Sequence, residues 1–167
     1  GVYYEGEKGA ERMVKLVKAD GAVHYYEGEK GAERRVRTEQ PDEVTYFEGE
    51  KGQERKVRTE ITSSASSISV IHYEGDKGDE RKVRVEAASG RGIHHYEGEP
   101  GEERLVRIEM ADGTVQSFEG EEGAEKLVRM EVTSGEAVYY EGEKGNQRMV
   151  RVEHPDGSVE HYEGDAG

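Results

Sequence analysis

The chain has 167 residues, 32% hydrophobic and 37% charged, with a mean hydropathy of -1.00. So polar a composition excludes a thick apolar core, and the absence of cysteine excludes a disulfide framework, a thiolate nucleophile and a cysteine-based zinc site. With 38 acidic against 24 basic residues the net charge of -14 repels nucleic-acid phosphates and anionic membrane surfaces.

A triplet of aromatic residue, Glu and Gly starts at Tyr4 and returns at Tyr26, Phe47, Tyr73, Tyr96, Phe118, Tyr140 and Tyr162, at spacings of 22, 21, 26, 23, 22, 22 and 22 residues. A period of that length marks a repeat architecture, in which each unit buries its face only against its neighbours. Residues 1–167 are therefore read as a single array. After the first triplet, a return loop with two glycines, Gly6 and Gly9, leads into residues 13–17, whose alternation and β-branched content predict a strand. Asp20-Gly21 then signals a turn, Asp through its side-chain acceptor and Gly through its access to positive φ.

The same sentence of structure repeats along the chain. Strands are predicted at 35–39, 56–60, 82–86, 105–109, 127–131 and 149–153, with turns at Ser89-Gly90, Asp112-Gly113, Ser134-Gly135 and Pro155-Asp156-Gly157 and a further strand over 158–163. An insertion at 63–69 accounts for the one long spacing and is expected to bulge out as a loop without disturbing the ladder. The expected fold is all-β, a long antiparallel meander of about seven hairpins and about fifteen strands. Such a sheet can be elongated, curled, or closed into a barrel-like shell.

Register follows from loop length. A four-residue loop over 154–157 places Val152 opposite Val159 and Val150 opposite His161, and its counterpart pairs Leu16 with Val23 and Val14 with Tyr25. A two-residue Asp-Gly turn would instead oppose Glu153 and Glu160, which repel. The four-residue loop is preferred. It gives the ribbon one apolar face containing Val14, Val36, Val57, Val83, Val106, Val128 and Val150. That row is expected to be buried by sheet curvature or by a second copy, with the basic residue that follows each valine on the opposite, solvated face.

From Tyr140 to Gly164, the succession Tyr-Glu-Gly-Glu, Pro-Asp-Gly-Ser-Val and Tyr-Glu-Gly resembles the MORN repeat family. The tryptophan that often follows that family's first motif is absent here, as are its paired glycines. A second likeness is to the YD-type repeats of bacterial shell-forming proteins. The MORN resemblance implies β-hairpin units and a scaffolding or protein-interaction role, sometimes with lipid contact, which the acidic charge opposes.

The candidate binding residues are the recurring aromatics Tyr26, Phe47, Tyr73, Tyr96, Phe118 and Tyr140. They form either a stacked structural spine or a stripe for a sugar, a peptide or a partner's apolar side chain. The rows of Arg and Glu read as ion pairs on a solvated face. The loop running from Glu5 to Glu11 gathers carboxylates that could suit calcium, but a basic residue stands among them in most copies and the EF-hand spacing is missing. His72, His95 and His161 fall where other copies carry Tyr and so read as replaced packing aromatics, while adjacent His94 and His95 must point to opposite faces.

No nucleophile motif or phosphate-cradling loop occurs. The expected function is a repeat scaffold or protein-interaction module, without catalysis, cofactor or metal. The alternatives are a purely structural spacer or shell segment, or a small-ligand or calcium binder. A protein partner or a second copy docking on the apolar face fits this composition; nucleic acid and membrane do not. Neither a signal peptide nor a spanning segment is recognisable, so a cytoplasmic location is the expectation.

Overall fold

The computed structural model describes residues 1–64 and 67–163. Its strands are β1 (Val2–Glu5), β2 (Arg12–Val17), β3 (Val23–Glu27), β4 (Arg34–Gln40), β5 (Glu43–Glu48), β6 (Arg55–Ser64), β7 (Ser67–Glu74) and β8 (Arg81–Glu86). There follow β9 (Ile93–Glu97), β10 (Arg104–Glu109), β11 (Val115–Glu119), β12 (Lys126–Glu131), β13 (Ala137–Glu141), β14 (Arg148–Glu153) and β15 (Val159–His161). Among the described residues a single 3-10 turn, Ala88–Gly90, interrupts the pattern. The 15 strands form one antiparallel meander in sequence order, and the sheet is not closed. The chain divides into two compact units, Gly1–Lys82 and Val83–Gly167. Among the described residues of each unit a strand contacts only its neighbours in sequence, so no second layer of them covers either face.

The hairpin loops at Asp20-Gly21, Asp112-Gly113, Ser134-Gly135 and Asp156-Gly157 are one residue shorter than expected, whereas Ala87 N–H donates to the Gly92 carbonyl across the expected four residues and Gln40 pairs with Glu43 across two. Lys18 N–H donates to the Ala22 carbonyl at 2.9 Å, Gly21 N–H donates to the Lys18 carbonyl at 3.2 Å, and the Ala22 N–H is capped by Asp20 Oδ1 at 3.0 Å. The loop is therefore three residues, 19–21, with Gly21 at φ +88°, a tight turn followed by one left-handed residue. The loops around Asp112 and Asp156 close in the same way. Consequently Val17 faces Val23, Lys15 faces Tyr25, and Glu153 faces Val159, and the pairings of Leu16 with Val23 and Val152 with Val159 are corrected. The like-charge clash of Glu153 with Glu160 is still avoided, because Glu160 lies opposite Val152.

A second departure concerns the recurring valine. Between successive hairpins, Tyr3 faces Lys15 but Tyr4 faces Met13, so Val14 is left over as a β-bulge. Val36, Val57, Val106, Val128 and Val150 are skipped in the same way. All are half-buried, Val83 included. The valine row is thus neither buried nor set apart from the basic row: Val14, Val36 and Val57 line one groove together with Arg37 and Tyr25. A bulge interrupts the alternation of faces in mid-strand, so counting every second residue across it assigns the wrong face.

The insertion also behaves differently from a loop. Ile61 pairs with Ser69, Thr62 with Ile68 and Ser64 with Ser67, so the extra residues lengthen β6 and β7 within the ladder; the tip at 65–66 lies outside the described residues. Among the described residues the buried side chains are few and small: Ala22, His24, Thr45, Thr59, Thr114, Ala137 and Val152.

Candidate functional site

The return loops supply the joints between successive repeats. In each, the second glycine takes the third position of a turn such as Glu7 to Ala10, closed by Ala10 N–H donating to the Glu7 carbonyl at 2.8 Å. The glutamate after the loop then works backward. Glu33 accepts from its own loop through Gly31 N–H at 2.9 Å and from the preceding repeat through Met13 N–H at 3.3 Å, next to the Val14 bulge. Glu54 does the same with Gly52 and Arg35, and Glu80 with Gly78 and Lys56. Two cations complete the joint. Lys30 donates to the Gly9 carbonyl of the preceding loop at 2.9 Å, and Arg12 donates forward to the Gly28 carbonyl at 3.1 Å. The last carboxylate of each such loop, the position of Glu11 in the segment weighed for calcium, is thus engaged by backbone amides. Glu33 is held below the ordinary carboxylate pKa, chiefly by bonding to its own backbone N–H, with the Met13 and Gly31 amides and Lys51 adding to this against desolvation.

One face, here called the front, carries a ladder of alternating rings and cations. In the first unit the cross-strand register sets Tyr3 beside Lys15, Tyr25 and then Arg37, Tyr46 and Arg58. The Arg37 guanidinium lies 4.1 Å from the Tyr25 ring centre, and the Tyr25 hydroxyl donates to Glu39 Oε2 at 2.9 Å. Arg37 in turn pairs with Glu39 at 2.8 Å, two residues along the same strand face. In the second unit Arg151 stands 3.8 Å from the Tyr139 ring centre, the Tyr139 hydroxyl donates to Glu153 at 2.9 Å, and Arg151 pairs with Glu153 at 3.1 Å. His95 takes a ring position, with its Nε2 2.9 Å from Glu109 Oε1, while His94 pairs with Ile108 on the other face.

Open grooves run along this front. In the first unit one of about 660 Å³ is lined by Val14, Tyr25, Val36, Arg37 and Tyr46, with Glu5, Glu27 and Glu48 along it. In the second unit one of about 640 Å³ is lined by Ser117, Glu119, Val128, Arg129, Tyr139 and Glu141 among others.

The predicted aromatic stripe belongs to the back face, each ring one residue beyond the front ladder and across the bulge. Tyr26 faces Arg35, Phe47 faces Lys56, Tyr96 faces Leu105, Phe118 faces Leu127 and Tyr140 faces Met149. All six, Tyr73 included, are half-buried. In the first unit cations cover the rings, Arg35 at 4.0 Å from the Phe47 centre and Lys56 Nζ at 3.8 Å from that of Tyr73. In the second unit aliphatic side chains stand there instead, and burial, with a smaller contribution from Glu125, raises the Tyr96 phenol pKa. Tyr26, Phe47 and Tyr140 also reach the front grooves; Tyr73, Tyr96 and Phe118 are not among the residues lining them. The front ladder itself was missed in the sequence, although its signal is there: the residue just before each triplet, as in Tyr25-Tyr26 and Tyr139-Tyr140, is usually aromatic too. No family model matches the chain, and no curated protein matches it.

Proposed function

We propose that the chain is a repeat scaffold that binds a protein partner along the front face of its sheet and has no catalytic chemistry of its own. The observation that carries this reading is the pair of front grooves, lined in both units by the same set of bulge valine, tyrosine, arginine and glutamate. Tyrosine and arginine are the residues that most often dominate binding energy at protein interfaces, because each joins a large apolar area to directed polar groups. The repeat likeness to MORN proteins points the same way. A structural spacer is the second reading, favoured by the cations that already cover Phe47 and Tyr73.

Selection from a random peptide display library separates the two. Peptides enriched on the chain should lose binding at least tenfold on Arg37→Ala or Arg129→Ala. No enrichment over a blank surface, or binding indifferent to both changes, would leave the spacer.

A further inference from the structure

The front ladder has one rung without a ring. In the second unit the register runs from Arg84 through His95, Arg107, Ser117, Arg129 and Tyr139 to Arg151. His95 and Tyr139 each place a ring between two arginines; between Arg107 and Arg129 there is only the hydroxymethyl group of Ser117. The groove of the second unit opens at this point, with Ser117, Val128 and Arg129 in its lining. Arg107, across the gap, has 47% of its side chain exposed, against 36% for Arg84, 35% for Arg129 and 36% for Arg151.

What a ring in that gap would meet can be read from the filled rungs. Tyr25 and Tyr139 each lie against the arginine of the next strand and donate their hydroxyl to the glutamate two residues beyond it, Glu39 and Glu153. Beside Ser117 the corresponding groups are Arg129 and Glu131, already joined at 2.6 Å. The rim of the groove adds charge. Glu119 and Glu141 line it, and among the described residues neither has an ion pair or hydrogen bond, although Glu141 faces Arg148 in the register; Glu5, Glu27 and Glu48 lie 4.0, 3.8 and 3.5 Å from the arginines they face. Glu119 faces Lys126, a cation without the arginine fork. Residues 83–167 hold 20 acidic and 9 basic side chains, a net charge of -11, against -3 for residues 1–82.

The geometry points to a docking site for a tyrosine side chain of a partner protein, flanked in that partner by lysine or arginine, which completes the ladder at Ser117. This rests on the scaffold reading above and narrows it to one place and one kind of ligand. The ring stacks on Arg129, its hydroxyl donates to Glu131, and the flanking cations meet Glu119 and Glu141.

The probe is a labelled, end-capped peptide Gly-Lys-Lys-Tyr-Lys-Lys-Gly, followed by fluorescence anisotropy on the full chain. Phe in place of Tyr should weaken binding, Ala should weaken it at least tenfold, and added salt should weaken all forms. Ser117→Tyr fills the gap from within: it should abolish binding while leaving Tm unchanged or raised, and Ser117→Ala should bind as the parent does. The double change Glu119→Lys, Glu141→Lys should weaken binding at least tenfold. Equal affinity for the Tyr and Ala peptides, or undiminished binding by Ser117→Tyr, overturns the inference. So does a dimer that forms without peptide and is broken by Ser117→Tyr, since a second copy would then occupy the gap. If library peptides still bind in an Arg37-dependent way while these fail, the scaffold reading stands alone; if nothing binds, both fall.

Discussion

At the scale of single residues, the two glycines of each return loop have different duties. Gly75 sits at φ +109°, and a Cβ there would lie 2.4 Å from the Asp79 carbonyl oxygen, whereas Gly78 sits at φ +90° with nothing within 4 Å. Gly78→Ala therefore meets only the backbone penalty of a left-handed conformation, about 1 kcal/mol. Gly75→Ala adds a collision with backbone that has no free end to swing away, and should cost roughly 2–3 kcal/mol. Urea unfolding of the two variants checks the order, and equal losses would mean that the loop yields. Both glycines were legible as parts of a sharp return, since Gly is the residue for positive φ. Which of them is also packed against backbone depended on where the far side of the loop lies.

At the scale of elements, the strand pairs hold what little interior there is. His24 on β3 is only 6% exposed and places Nδ1 2.8 Å from Thr38 Oγ1 on β4. Burial lowers its pKa, with Lys18 and Arg35 adding to the effect against Asp20. The folded pKa thus lies below the unfolded one of about 6.5. As pH falls through that value the unfolded chain takes up a proton the folded chain refuses, so the contribution present above it declines until the lowered folded pKa is reached. His24→Thr, which copies the neighbouring Thr38, removes this dependence. Between about pH 7 and about pH 5 the parent should lose urea resistance relative to that variant. Parallel behaviour of the two would show that protonated His24 is accommodated in the fold.

At the scale of the whole molecule, cohesion comes from neighbour to neighbour. Among the described residues no layer excludes water from either face within a unit, and the joints are a loop Glu accepting from an amide of the preceding repeat, a loop Lys donating to the preceding loop's carbonyl, and a strand Arg donating to the following loop's carbonyl. A stack of this kind loses stability locally when one joint weakens. Val106 is a half-buried bulge residue of β10, so replacing it with Asp forfeits roughly 1 kcal/mol of burial. Arg107→Asp loses an exposed pair with Glu109 and adds like charge on the same face, a change of comparable size, about 1 kcal/mol. Hydrogen exchange on Val106→Asp should show faster amides in β9 to β11 and unchanged protection in β2 to β5. A uniform loss across the chain would mean that it unfolds as one cooperative body.

Strand number, most turn positions and the meander were readable because they rest on local chemistry: alternation within each segment, and Asp or Ser before Gly at most hairpin reversals. The register was not, and it was missed by one residue. It depends on a three-residue loop closed by a hydrogen bond between Lys18 and Ala22, and on a bulge at each recurring valine, which breaks the two-residue period in mid-strand. Recurrence at Val14, Val36 and Val106 marked a constraint, but the same recurrence would serve a buried row or a bulge. Ser117 is the clearest case of the second kind. Along the chain it is one divergent residue before Phe118, and only the pairing of β11 with β10 and β12 sets it between Arg107 and Arg129, where a missing ring leaves an opening.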